Sequence, residues 1–219
     1  RDYKVTGVQT CALPISMNLP NLLTLSRIPL MVIVVALLHP WNGHPLPWAW
    51  TIALVMFLFG ALTDWLDGWL ARKMGQVSDF GKFMDALVDK IFTMGTFVSL
   101  LALGIVGLWA LFPILLILAR EFLITGLRLV AAAQGKTLAA EKAGKVKTVM
   151  QITSICLFLA HGAIEHDLSK LKSWSGLSDW ADIINQSAQI SLIFACLLTV
   201  YSGCNYLVKY WSVFTGSES

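Results

Sequence analysis

Charged residues are scarce in this sequence. Only 13% of the 219 positions are Asp, Glu, Lys or Arg, whereas an ordinary soluble domain carries about 25%. Hydrophobic residues make up 57% of the chain, and the mean hydropathy is +0.70. This composition excludes a water-soluble globule and predicts a protein that is surrounded largely by lipid.

Two further scarcities exclude other classes of protein. The four cysteines, Cys11, Cys156, Cys196 and Cys204, have no paired spacing, so the sequence predicts neither a disulfide framework nor a zinc site. The formal net charge is only +3, which is too weak to indicate a nucleic-acid partner.

The N-terminal segment differs from the rest of the chain. Residues 1–16 lack the basic start and the long apolar run of a signal peptide. Their segment VTGVQTCALPI resembles the translation of a sequencing-library adaptor. We therefore expect residues 1–16 to be a non-native leader and residues 17–219 to form a single domain.

Apolar segments between polar breaks predict six transmembrane helices, because a helix needs about 20 mostly apolar residues to cross a bilayer. The predicted spans cover approximately residues 22–38, 48–62, 80–103, 108–133, 143–160 and 183–208. Lys and Arg follow the second and fourth spans but are absent from residues 39–48 and 104–107, which predicts cytoplasmic termini. The expected fold is all-α, a polytopic membrane protein with six transmembrane helices.

Acidic residues cluster where the second predicted span ends and the third begins. Asp64 and Asp67 are three residues apart, and Asp85 and Asp89 are four apart, so each pair occupies one helix face. A carboxylate at membrane depth is costly unless it is paired, hydrated or bound to a cation. Converging carboxylates with no His or Cys in the motif favour Mg²⁺, with Mn²⁺ second.

These acids belong to a longer pattern that resembles the signature of the CDP-alcohol phosphatidyltransferase family. The pattern is Asp64-x2-Asp67-Gly68-x2-Ala71-Arg72-x8-Gly81-x3-Asp85-x3-Asp89. The resemblance implies a six-helix fold with two metal ions, Mg²⁺ or Mn²⁺, bound by the four aspartates. It further implies Asp64 and Asp85 as shared metal ligands and Asp89 as the general base as well as a ligand.

The same resemblance implies a donor site for CDP-diacylglycerol. The residues that match positions near its nucleotide or diphosphate are Asn21, Thr24, Gly68, Arg72 and Ser78. Two simpler roles stay open: a glycine at position 68 also permits close helix packing, and a serine at position 78 also suits a turn or a helix N-cap.

Basic residues form a second cluster further along the chain. Arg120 lies in apolar surroundings, Arg128 follows eight residues later on a face that it can share, and Lys145 and Lys147 begin the fifth span. Converging bases of this kind suit a phosphorylated acceptor. With the segment NLPNLLTLSR, this stretch resembles the family subgroup whose acceptor is sn-glycerol 3-phosphate, which implies phosphatidylglycerophosphate and CMP as products.

Several alternatives stay open at this point. Other acceptors used in the family are inositol phosphate, phosphatidylglycerol and serine. Membrane prenyltransferases also bind a diphosphate through Asp-rich motifs and Mg²⁺, although their motifs are further apart, and a cation transporter also buries acids. A bacterial inner membrane suits the short six-span form, and the resemblance implies a homodimer.

Overall fold

The computed structural model describes residues 19–39, 46–74, 79–133, 142–168 and 177–211. All regular structure in these ranges is helical, as the sequence predicts. The six long helices are α1 (Leu19–Leu38), α2 (Ala49–Met74), α3 (Asp79–Ala102), α4 (Leu111–Ala133), α5 (Lys142–Gly162) and α6 (Leu177–Lys209). A 3₁₀ turn at Leu108–Ala110 precedes α4, and a π-helical turn at Ala163–Asp167 continues α5.

The length of the apolar stretches in the helices supports an integral membrane protein. Within the described residues, three stretches are long and apolar enough to cross a membrane, namely Leu108–Ala132, Val146–Asp167 and Asp179–Lys209. Shorter apolar stretches, Thr24–Leu38 and Ala49–Asp64, lie in α1 and α2. The chain is therefore an all-helical membrane protein, and six complete spans stay a prediction.

The start of α6 differs from the expected boundary. The sequence places the last span from about residue 183, after a polar segment, whereas α6 begins at Leu177 and includes Asp179 and Asp182. An acid in the first turn of a helix interacts favourably with the exposed N–H groups and the helix dipole. Polar residues that suggest a loop thus form the first turns of a long helix.

Side-chain contacts between α2 and α3 lie next to the acidic residues. The rings of Phe57 and Phe92 stack with their centroids 4.9 Å apart. A Cβ atom at Gly60 would lie only 2.5 Å from the Phe92 ring, so the glycine permits this close approach. Because Gly60 is one turn before Asp64, this contact brings the acidic part of α2 against α3.

The helix α6 contacts both α4 and α5. Ser154 Oγ on α5 donates to the carbonyl of Ala188, and Ser191 Oγ on α6 donates to the carbonyl of Met150, both at 3.0 Å. Such bonds satisfy hydroxyl groups between apolar helices. The two helices that carry the predicted bases, α4 and α5, therefore share α6 as a neighbour.

Candidate active site

An arginine of α1 joins two of the predicted metal ligands. Arg27 Nη1 donates a hydrogen bond to Asp64 Oδ1 and lies 3.7 Å from Asp85 Oδ1. The Arg27 side chain is 1% exposed, whereas those of Asp64 and Asp85 are 40% and 50% exposed. A buried guanidinium needs carboxylate partners, so these three side chains tie α1, α2 and α3 together.

Asp89 lies one turn after Asp85 on α3 and belongs to the same region. Its carboxylate interacts electrostatically with Asp64, Asp85 and Arg27. A small cavity borders Arg27, Asp64 and Asp89. The structure therefore brings together three of the four predicted aspartates, which we call the acidic centre (Asp64, Asp85 and Asp89, with Arg27).

The donor chemistry of the acidic centre fits a hard divalent cation, because carboxylate oxygens are the ligands that Mg²⁺ prefers. Among the described side chains, no group of three His, Cys, Asp or Glu is arranged to hold a metal ion. The fourth predicted ligand, Asp67, lies on α2, but its side chain is outside the described part. Arg27 pairs with Asp64 and lies 3.7 Å from Asp85, so it holds two of the predicted ligands in place.

The predicted donor-site residues are only partly visible. Thr24 lies on α1, three residues before Arg27, and is 5% exposed. Asn21 lies on α1, and Gly68 and Arg72 lie on α2, but their side chains are outside the described part. Ser78 falls outside the described residues altogether.

A second centre surrounds Glu121 of α4, which is 8% exposed. Its carboxylate forms an ion pair with Lys147 of α5. It also lies 3.4 Å from Arg120 Nη1 and 3.9 Å from Lys90 Nζ of α3. Three bases around one acid leave two positive charges in excess, which favours an anion. We call this group the basic centre (Lys90, Arg120, Glu121 and Lys147).

The other two predicted acceptor-site bases lie apart from Glu121 or are not described. Arg128 is on the exposed part of α4, where its Nε lies 3.4 Å from the hydroxyl of Tyr206 on α6. Lys145 lies on α5, but its side chain is outside the described part. Of the four predicted bases, Arg120 and Lys147 meet at Glu121, and Arg128 contacts α6.

Lys90 connects the two centres, although no sequence motif predicts it. It directly follows Asp89, its side chain is 13% exposed, and its Nζ donates to the carbonyl of Ala86 at 2.8 Å. Arg27 was also missed. Both are bases within apolar helices, so the cost of burying a charge is the signal that would have found them.

Comparisons with known proteins identify the family of this chain. The family model for CDP-alcohol phosphatidyltransferase matches residues 17–214. The chain belongs to that family.

Three curated relatives share one name. The CDP-diacylglycerol–glycerol-3-phosphate 3-phosphatidyltransferase of Bacillus subtilis (strain 168) is 32% identical over 209 residues, which are 92% of this chain and 99% of that protein. The proteins of the same name from Rickettsia felis and Pseudomonas fluorescens are 33% and 35% identical. The alignment with the Rickettsia felis protein covers 88% of this chain and 94% of that protein. The alignment with the Pseudomonas fluorescens protein covers 66% of this chain and 73% of that protein.

Proposed function

We infer that the protein transfers the phosphatidyl group from CDP-diacylglycerol to sn-glycerol 3-phosphate, with phosphatidylglycerophosphate and CMP as products. The family membership and the shared name of its relatives support this activity. The observation that carries it is the position of the basic centre, whose Lys90 is adjacent in sequence to Asp89 of the acidic centre. A phosphorylated acceptor is thereby favoured over serine, which has no phosphate.

The acceptor binds at the basic centre in this proposal. Arg120, Arg128, Lys145 and Lys147 hold its phosphate, and Lys90 adds positive charge from α3. A hydroxyl group of the acceptor then lies near Asp89, which accepts its proton as the hydroxyl oxygen attacks the phosphorus on the lipid side. The bond from that phosphorus to the CMP oxygen breaks, and CMP leaves.

The donor binds at the acidic centre. Two divalent cations, Mg²⁺ or Mn²⁺, held by Asp64, Asp67, Asp85 and Asp89, with Asp64 and Asp85 shared, would neutralise the donor diphosphate. The nucleotide and diphosphate contacts are Asn21, Thr24, Gly68, Arg72 and Ser78. Arg27 orients the carboxylates of Asp64 and Asp85.

The cellular setting is part of the same proposal. Basic residues after the second and fourth predicted spans support cytoplasmic termini and a cytoplasmic active site, in a bacterial inner membrane. The protein acts as a homodimer.

A CMP-release assay tests the activity and the acceptor together. Purified protein in detergent receives CDP-diacylglycerol, Mg²⁺ or Mn²⁺, and one acceptor from a panel of sn-glycerol 3-phosphate, inositol phosphate, phosphatidylglycerol and serine. We expect CMP release with sn-glycerol 3-phosphate, and release at least about 100-fold slower from an Asp89→Asn control. Faster release with inositol phosphate would overturn the acceptor assignment, and release with none of the four would overturn the activity.

A further inference from the structure

Two predicted phosphate-binding arginines of α4 are both held by side chains of α6, a helix that no sequence motif assigns to the site. Arg120 Nη2 donates a hydrogen bond to Ser202 Oγ at 2.8 Å. Ser202 is 2% exposed, so its hydroxyl is held in a packed environment. This bond fixes the end of a long side chain that would otherwise sample many rotamers.

The next residue of α6 makes room for the same arginine. A Cβ atom at Gly203 would lie 2.8 Å from Arg120 Cγ and 3.2 Å from its Nε. Any side chain at position 203 would therefore displace the stem of Arg120. Gly203 opens the path along which Arg120 reaches Ser202 and Glu121.

Arg128 is held in a similar way one turn further along α6. Its Nε lies 3.4 Å from the hydroxyl oxygen of Tyr206, and its guanidinium carbon lies 5.5 Å from the centre of the Tyr206 ring. Tyr206 is 2% exposed and packs on Tyr210 with ring centroids 4.7 Å apart. A fixed ring thus offers Arg128 both an acceptor oxygen and a π face.

The two partners on α6 are closer in sequence than the two arginines on α4. Arg120 and Arg128 are separated by eight residues on α4, which is about 12 Å of helix rise. Their partners Ser202 and Tyr206 are separated by four residues on α6, which is about 6 Å. The backbones of the two partners on α6 are therefore closer together than the backbones of the two arginines on α4.

We propose that Ser202, Gly203 and Tyr206 are positioning residues that order Arg120 and Arg128 for the phosphate of the acceptor. This rests on the proposed function. Ordering the two guanidinium groups before the acceptor arrives lowers the entropy lost on binding. The residues act through the arginines and do not themselves touch the acceptor.

Michaelis constants for the two substrates separate this role from a structural one. We expect Ser202→Ala and Gly203→Ala to raise KM for sn-glycerol 3-phosphate roughly 3- to 10-fold, with KM for CDP-diacylglycerol nearly unchanged. Tyr206→Phe keeps the π face and loses the hydroxyl, so we expect it to raise KM for sn-glycerol 3-phosphate by a smaller factor. Equal changes in both Michaelis constants would overturn the proposal.

Each variant has a matched control in the described chain. Ser187→Ala removes an exposed hydroxyl that bonds only within α6. Gly126→Ala adds a Cβ with no atom within 4 Å, and Tyr201→Phe alters a tyrosine that is 63% exposed. In the three controls, KM for each of the two substrates is expected to equal the wild-type value. If the controls raise KM for sn-glycerol 3-phosphate as much as the variants do, the proposal is overturned.

A double-mutant cycle tests whether Ser202 acts through Arg120. Once Arg120→Ala has removed the guanidinium, adding Ser202→Ala is expected to change KM for sn-glycerol 3-phosphate no further. Additive effects would overturn the positioning role. If the wild-type protein releases no CMP with sn-glycerol 3-phosphate, the proposed function itself fails. If the wild-type protein is active but the Ser202 and Gly203 variants keep the wild-type KM for sn-glycerol 3-phosphate, only the positioning role is overturned.

Discussion

Arg27 and Asp64 form an ion pair although 37 positions separate them in the chain. The pair fixes α1 against the acidic end of α2, and the same guanidinium lies 3.7 Å from Asp85 Oδ1 on α3. Three helices thus meet at a base whose side chain is almost completely buried. Because like-charged carboxylates repel each other, the positive charge of Arg27 stabilises the acidic centre.

Loss of Arg27 is expected to disable the acidic centre. Arg27→Gln removes the charge that compensates Asp64 and Asp85, and we expect CMP release to fall roughly 10- to 100-fold, as for other residues that orient metal ligands. Arg27→Lys keeps the charge but loses the planar fork, so an intermediate loss is expected. Lys209→Gln, which removes an exposed base at the end of α6, is the control and should retain turnover. Wild-type turnover in Arg27→Gln would contradict this role.

Substitution of Asp89 separates chemistry from folding. Asp89→Asn preserves the shape of the side chain but cannot accept the proton of the acceptor hydroxyl, so we expect turnover to fall about 10²- to 10⁴-fold. The melting temperature in detergent should stay close to that of the wild type. Asp182→Asn, at an exposed position of α6, serves as the matched control. Near-wild-type CMP release from Asp89→Asn would remove the general-base assignment.

The proposed metal ligands Asp64, Asp67, Asp85 and Asp89 offer only oxygen donors, so we expect CMP release to depend on a divalent metal. Treatment with a chelator is expected to abolish CMP release, and Mg²⁺ should restore it, with Mn²⁺ as the second choice. Equilibrium binding of Mn²⁺ gives an independent measurement, since Asp64→Asn should weaken it whether or not substrate is present. Full activity after exhaustive chelation would rule out the metal assignment.

The sequence predicts most of the helices because apolar runs and polar breaks alternate clearly along the chain. It also predicts that Asp64, Asp85 and Asp89 lie close together, because of helix periodicity and the short connection between the second and third predicted spans. Arg27 and Lys90 escaped prediction because each is a single base without a neighbouring motif. Their roles depend on which helix lies opposite, and tertiary packing decides that.

The polar start of α6 escaped prediction for another reason. Asp179 and Asp182 lower local hydropathy, so a search for apolar spans passes over them, although an acid in the first turn stabilises a helix. The contacts of Ser202 and Tyr206 with the α4 arginines were likewise invisible, because 82 and 78 positions separate the partners. Sequence spacing predicts which residues contact each other within a helix, but it does not predict contacts between helices that are far apart in the sequence.

Glu121 is expected to matter for stability through the bases around it. Glu121→Gln leaves Lys90, Arg120 and Lys147 without their shared carboxylate, and unpaired buried charge is destabilising. We therefore expect a lower melting temperature, partly restored by millimolar inorganic phosphate, because an added anion replaces the missing charge. Phosphate should raise the melting temperature of this variant more than that of the wild type. Glu165→Gln, which alters a glutamate that is 54% exposed, is the control, and an equal response in both variants would contradict the anion site.

Asp167 offers a test in which stability changes and activity does not. It is 5% exposed and accepts hydrogen bonds from the backbone N–H and the hydroxyl of Thr51, at 2.8 and 2.9 Å. Thr51 lies in the first turn of α2, where N–H groups lack partners within the helix, so Asp167 caps α2 from the π-helical turn.

Asp167→Ala should therefore destabilise the fold by about 1–3 kcal/mol, which corresponds to a fall of roughly 3–10 °C in melting temperature for a chain of this size. Asp64 is thirteen residues further along α2, about 20 Å away, so kcat/KM per folded molecule should be unchanged below the transition. The control Asp182→Ala, at an exposed position, should shift the melting temperature by no more than about 1–2 °C. A loss of kcat/KM in fully folded Asp167→Ala would show that the cap also governs the acidic centre, contrary to this prediction.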